Sequence, residues 1–148
     1  MNISTVRYIY DLNIAGPLFA MQQVIPLMKN QGGRTIINIS SGTALMHLPD
    51  MSAYSSSKRA LAGISLAARQ ELKDDAIVVS VVYPYITLTN FEKNTIRKSP
   101  DDEGGQQDAR GLYPPDSAEY VAHKILEGIA NGEAEIFAHD WMKNPRNS

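Results

Sequence analysis

Two short β-branched runs, Arg34-Thr-Ile-Ile-Asn-Ile39 and Ile77-Val-Val-Ser-Val-Val82, flank a stretch with helical spacing, and this alternation limits the chain to few folds. Gly32-Gly33 stands before the first run and Tyr83-Pro84 after the second. Because proline cannot donate to a ladder, the runs read as strands buried on both faces. Between them Ala53, Leu61, Ile64, Ala68 and Leu72 fall along one stripe, predicting a helix over residues 51 to 73. Upstream, Ile9, Leu12, Leu18, Val24, Ile25 and Met28 also recur at helical spacing, and Pro17 and Pro26 interrupt them, so residues 4 to 30 read as a kinked or two-part helix. Residues 98 to 116 are dense in Gly, Pro and acid, predicting a flexible loop. Asp116 or Ser117 then caps a helix through Val121, Ile125 and Ile129, and Glu135 to Ala138 forms a last strand. Strands alternating with helices imply parallel pairing through crossovers, hence an α/β sheet of about three strands flanked by helices, one domain over residues 1 to 148.

Composition narrows the possible functions. Apolar residues make up 43% of the 148 and charged residues 20%, ordinary values for a chain with a real core. No apolar run reaches the roughly 18 residues of a membrane helix, and the N-terminus does not read as a signal peptide, so a cytoplasmic protein without a membrane anchor is expected. With no Cys and three scattered His, neither a disulfide framework nor a metal site is expected. A net charge of −2 gives no basic field for nucleic acid. Small molecules or other proteins are the expected partners.

Tyr54 and Lys58 lie four apart on the predicted helix, so both side chains face one way and can act on one ligand. The spacing alone carries little weight in a chain with seven tyrosines, and Tyr120 with Lys124 repeats it. Context separates the pairs. Ser41 precedes Tyr54 and stands at the C-terminal end of the first strand, where open α/β sheets place their ligand crevice. A strand-end hydroxyl, a phenol and an ammonium together suit proton transfer at a carbonyl oxygen. A phenol near pKa 10 is a poor acid or base at neutral pH, and bringing it to about 7 takes about 4 kcal/mol, which a close ammonium in a partly dry cleft can supply.

The segment Ile37-Asn-Ile-Ser40-Ser41-Gly42 with Tyr54-Ser-Ser-Ser-Lys58 resembles the active-site region of the short-chain dehydrogenase/reductase family. The likeness continues upstream in Asp11-Leu-Asn-Ile-Ala-Gly16 and downstream in Ile77-Val-Val-Ser-Val-Val-Tyr-Pro84, so that it runs from about residue 8 to 89. It implies the C-terminal, catalytic part of a Rossmann-like, doubly wound sheet and an NAD(P)-dependent oxidoreductase acting on a small-molecule carbonyl or alcohol substrate. It further implies that Tyr54 is the general acid/base, that Ser41 holds the substrate oxygen, that Lys58 lowers the tyrosine pKa and binds the nicotinamide ribose, and that Asn13 anchors a proton-relay water. Pro84, Thr87 and Thr89 would contact the cofactor, NAD or NADP. A homo-oligomer, dimer or tetramer, joined through the helices of residues 2 to 30 and 51 to 73, is the family analogy.

Two departures qualify the resemblance. Tyr85 follows Pro84 where the family usually has glycine, and the family's opening strand, G-x-x-x-G-x-G turn and helix have no counterpart in this chain. Gly128-Ile-Ala-Asn-Gly132 follows a helix instead of opening one and reads as a helix stop. A truncated, inactive member serving as a binding or oligomerisation module is therefore the alternative, because the strand from Arg34 would expose an edge in need of cover. His47 reads as a plain loop position ahead of a pocket-lining one, His123 and His139 have no partners at ligand spacing, and Trp141 reads as either a subunit contact or a cover for the sheet.

Overall fold

The computed structural model describes residues 2–89 and 114–144. Helix α1 (Ile3–Tyr10) runs through a π-helical turn, Asp11–Ala15, into α2 (Gly16–Asn30). Strand β1 (Thr35–Ile39) leads through a 3₁₀ turn, Gly42–Leu45, to α3 (Ser52–Glu71). Strand β2 (Val78–Tyr83), α4 (Ala118–Asn131) and β3 (Glu135–Phe137) complete the order. The sheet runs β1-β2-β3, both pairs parallel, with Ile36 opposite Val79, Asn38 opposite Val81 and Val82 opposite Ile136. The α/β sheet of three strands flanked by helices is thus as the sequence predicts.

The first helical region is two-part, but the break is the π turn and not a proline kink. Pro17 follows the π turn, in the first turn of α2, and Pro26 lies inside a helix that continues past it. The extra residue of a π turn re-aims the side chains around it, Asn13 among them. Every residue of β2 from Val79 to Tyr83 is buried, as a central parallel strand requires. One core cluster joins Met21, Ile36, Leu72, Ile77 and Val79, with Val24, Ile25 and Met28 of α2 packed against it. The other joins Ala44, Ala62, Val81, Tyr83, Ala138 and Met142, with Trp141 against it, so Trp141 packs at the end of the sheet. Small residues on α3, with Ser57 and Ser65 at 0% exposure, let the helix lie close on the strands.

Ser117, not Asp116, caps α4, accepting from the Tyr120 N–H, and Gly132 ends it in the left-handed region. Of the predicted loop over residues 98 to 116, only 114 to 116 fall within the described residues. Among the described residues β1 has β2 as its single strand neighbour, and Ile39 is 44% exposed. No helix among them is long and apolar enough to cross a membrane.

Candidate active site

The C-terminal ends of β1 and β2 stay zipped beyond the strands, with Ser40 N–H donating to Val82 O at 2.8 Å and Gly42 N–H to Pro84 O at 2.7 Å. Gly42 fits this close approach, since a Cβ there would stand 2.7 Å from Met142 Cε and 3.2 Å from Pro84 O. This pairing fixes Ser41 at the strand end. Its Oγ caps the following 3₁₀ turn, accepting from the Thr43 N–H at 3.2 Å and the Thr43 hydroxyl at 3.0 Å. The Ser41 hydroxyl also stands beside the Tyr54 phenol, close enough to favour its ionised form. Thr43 is therefore part of the site, and its only sequence signal is a hydroxyl two residues after a serine.

On α3, Tyr54 is half-buried and Lys58 lies on the same face, its Nζ 5.8 Å from the Tyr54 ring centroid. Lys58 Nζ donates to Ile39 O at 2.9 Å, while the Lys58 carbonyl accepts from Ser40 Oγ at 2.8 Å, so both ends of the lysine are tied to the end of β1. The expected lowering of the tyrosine by the lysine is not what the geometry gives. Burial pushes the Tyr54 phenol above its ordinary value, and the bond from Ser41 pulls it part of the way back. Burial also lowers the Lys58 ammonium. Desolvation wins because it acts on both groups, whereas the lysine is directed at a backbone carbonyl.

Asn13 reaches the site from the π turn. Its Nδ2 donates to Ser57 Oγ at 3.0 Å, and Ser57 Oγ donates in turn to the Tyr54 carbonyl at 2.7 Å. The structure thus brings Asn13, Ser41, Tyr54 and Lys58 into one connected region, with Ser57 as an intermediary that the sequence reading missed. Asn38 is a second missed residue: buried on β1, it donates to Ser65 Oγ at 2.9 Å and Met21 Sδ at 3.2 Å, tying the strand to α3 and α2.

After β2, Pro84 is held through its carbonyl, Thr87 Oγ1 donates to Tyr85 O at 3.0 Å, and Thr89 is exposed. The Tyr85 ring turns edge-on to His139 and Trp141, at 5.9 and 5.5 Å between centroids. The rival pair is occupied elsewhere: Tyr120 OH donates to Ala138 O at 2.7 Å and Lys124 pairs with Glu127 at 3.0 Å. His139 finds its partner far along the chain, its Nε2 lying 3.0 Å from the Asp116 carboxylate. Among the described residues no cluster of His, Cys, Asp and Glu could hold a metal ion.

The family model described as short chain dehydrogenase matches residues 1–100. Among curated relatives, a 3-ketodihydrosphingosine reductase from Dictyostelium discoideum is 34% identical over 129 residues, covering 85% of this chain and 37% of the relative. A dehydrogenase/reductase SDR family member 7B from Danio rerio is 28% identical over 137 residues, covering 91% of this chain and 43% of its own length. The chain therefore spans well under half the length of these relatives. Among solved structures, a short-chain dehydrogenase from Burkholderia cenocepacia in complex with NADP superposes with a TM-score of 0.78 at 23% identity, covering 99% of this chain and 56% of the other, a likeness of fold.

Proposed function

We propose that this chain, which belongs to the short-chain dehydrogenase family, carries the proton-transfer site of an NAD(P)-dependent oxidoreductase that interconverts a small-molecule carbonyl and its alcohol. The observation that supports it most is the placement of Tyr54 beside Ser41 at the C-terminal end of the sheet, with Lys58 on the same helix face and its Nζ 5.8 Å from the Tyr54 ring centroid. In this reading Tyr54 is the general acid/base and Ser41 fixes the oxygen that Tyr54 serves. A phenol raised by burial keeps its proton, which favours its role as the acid that protonates a carbonyl oxygen. Asn13 anchors a relay water behind Lys58, supported by its bond to Ser57, the residue before Lys58.

The donor set fits one end of a nicotinamide dinucleotide: the Lys58 ammonium and Tyr54 phenol suit ribose hydroxyls, and the backbone after Pro84, with Thr87 and Thr89, suits the carboxamide side. A bound cofactor of this class supplies the hydride, and the protein supplies position and electrostatics. No glycine-rich phosphate cradle occurs in the 148 residues, so the affinity for the rest of the cofactor has no source among them. A homo-oligomer is supported by the exposed Leu12, Phe19 and Leu27 of the first helical region.

In a protein that contains this chain and binds NADPH, replacing Tyr54 by Phe should abolish carbonyl reduction while leaving NADPH affinity within about threefold, because the change removes one hydroxyl and little contact area. Full activity in that variant removes Tyr54 from the mechanism.

A further inference from the structure

The imidazole of His139, just after β3, stacks with the rings of Tyr120 and Trp141, at centroid distances of 5.5 and 6.2 Å and interplanar angles of 23° and 12°. Tyr85 meets it edge-on. Three rings from three segments thus fix the plane of the imidazole, and the Tyr120 hydroxyl, bonded to Ala138 O, fixes the residue before it. In that plane Nε2 lies 3.0 Å from both oxygens of Asp116, whose side chain is 9% exposed. A carboxylate this buried needs a donor, and the imidazole N–H is one.

Asp116 also works through its backbone. Its N–H donates to Ile86 O at 2.7 Å and its carbonyl accepts from the Leu88 N–H at 2.9 Å, an isolated parallel bridge opposite Thr87. Two hydrogen bonds are a short ladder, and a pairing of that length has little stability by itself. Asp116 thus holds the backbone of Ile86 and Leu88 from across the gap, and its own side chain is held by His139.

We propose that His139 is a positioning residue: through the Asp116 carboxylate it fixes the Ile86–Leu88 backbone and so sets where Thr87 stands beside the β1–β2 crevice. The role toward a nicotinamide cofactor rests on the function proposed above, whereas the clamp itself does not. Restraint of this kind matters because small displacements of a positioning group cost far more in binding and rate than in stability.

The test is amide hydrogen exchange on the full chain carrying His139→Phe, which keeps a ring beside Tyr120 and Trp141 but removes the donor. The Leu88 and Asp116 amides should exchange at least about tenfold faster, while Ser40 and Val78, paired between β1 and β2, keep their protection. His139→Gln, which keeps an N–H donor, should restore part of the protection. Unchanged exchange at Leu88 and Asp116 in His139→Phe overturns the clamp. Should that variant fail to fold, the ring nitrogens of the wild-type chain decide, since a proton on Nε2 supports the clamp and an unprotonated Nε2 overturns it. In the cofactor-binding protein, His139→Phe should raise KM for the dinucleotide roughly tenfold with kcat within about twofold. Faster exchange with an unchanged KM leaves the clamp standing and overturns its role toward the cofactor.

Discussion

Asn13 Nδ2 donates to Ser57 Oγ at 3.0 Å, joining the π turn to α3 across 44 residues of sequence. Ser57 has 0% exposure, so water cannot replace either of its bonds. Ser57→Ala should therefore cost about 1–2 kcal/mol, seen as a lower urea midpoint with an unchanged slope. A double-mutant cycle with Asn13→Ala should return a coupling of about 0.5–1.5 kcal/mol, and a coupling near zero would mean that the bond does not hold the turn.

The Ser41 hydroxyl beside Tyr54 favours the phenolate, against the burial that favours the phenol. In the cofactor-free chain Tyr54 should titrate above its ordinary value near 10, read as the tyrosinate absorbance missing from Tyr54→Phe. Ser41→Ala should move it higher still. A Tyr54 transition near neutral pH in the free chain, or a downward shift in Ser41→Ala, contradicts the balance of desolvation and hydrogen bonding described here.

Gly63 and Gly128 occupy the interiors of α3 and α4, where alanine has the same intrinsic advantage of about 1 kcal/mol. A Cβ at Gly63 meets nothing within 4 Å, and the position is exposed. At Gly128 it would collide with Ile136, which is 2% exposed and has no room to move. Gly63→Ala should raise stability by about 0.5–1 kcal/mol, and Gly128→Ala should lower it by about 1–2 kcal/mol after the propensity gain is included. Thermal unfolding of the two variants in parallel checks this, and a stabilised Gly128→Ala would show that α4 does not pack on β3 as described.

The buried Tyr83 hydroxyl donates to Glu135 Oε1 at 2.8 Å. Burial, then the hydrogen bond and the negative charge of Glu135, push its pKa well above the ordinary value. Because the folded value is raised, the folded state holds the proton more tightly than the unfolded chain does. That stabilisation is complete below about pH 10 and declines as pH rises from there toward the folded value. The chain should accordingly lose stability steadily above about pH 10, and Tyr83→Phe should flatten that dependence while costing about 1 kcal/mol at neutral pH. Denaturant midpoints between pH 8 and pH 11, on the order of one unit apart, decide the matter; an equally steep decline in the variant assigns the loss to another group.

What the sequence determined alone is the set of elements and the shared face of Tyr54 and Lys58. Strand and helix periods are local properties: Ile77 to Val82 has to be buried on both faces, residues 51 to 73 have to form one stripe, and a spacing of four puts phenol and ammonium together. The tertiary structure decided everything that depends on partners distant in the chain. Pro17 and Pro26 looked like the breaks in the first helix, but the break lies at Asp11–Ala15, where Asn13 reaches Ser57. Tyr120 and Lys124 have the same spacing as the site pair, yet Ala138 and Glu127 occupy them. His139 gave no local signal, because its partner Asp116 lies 23 residues away and the rings that orient it come from three segments. The pKa of Tyr54 was the least legible feature, since desolvation sums over every neighbour that excludes water, and no spacing along one helix contains that sum.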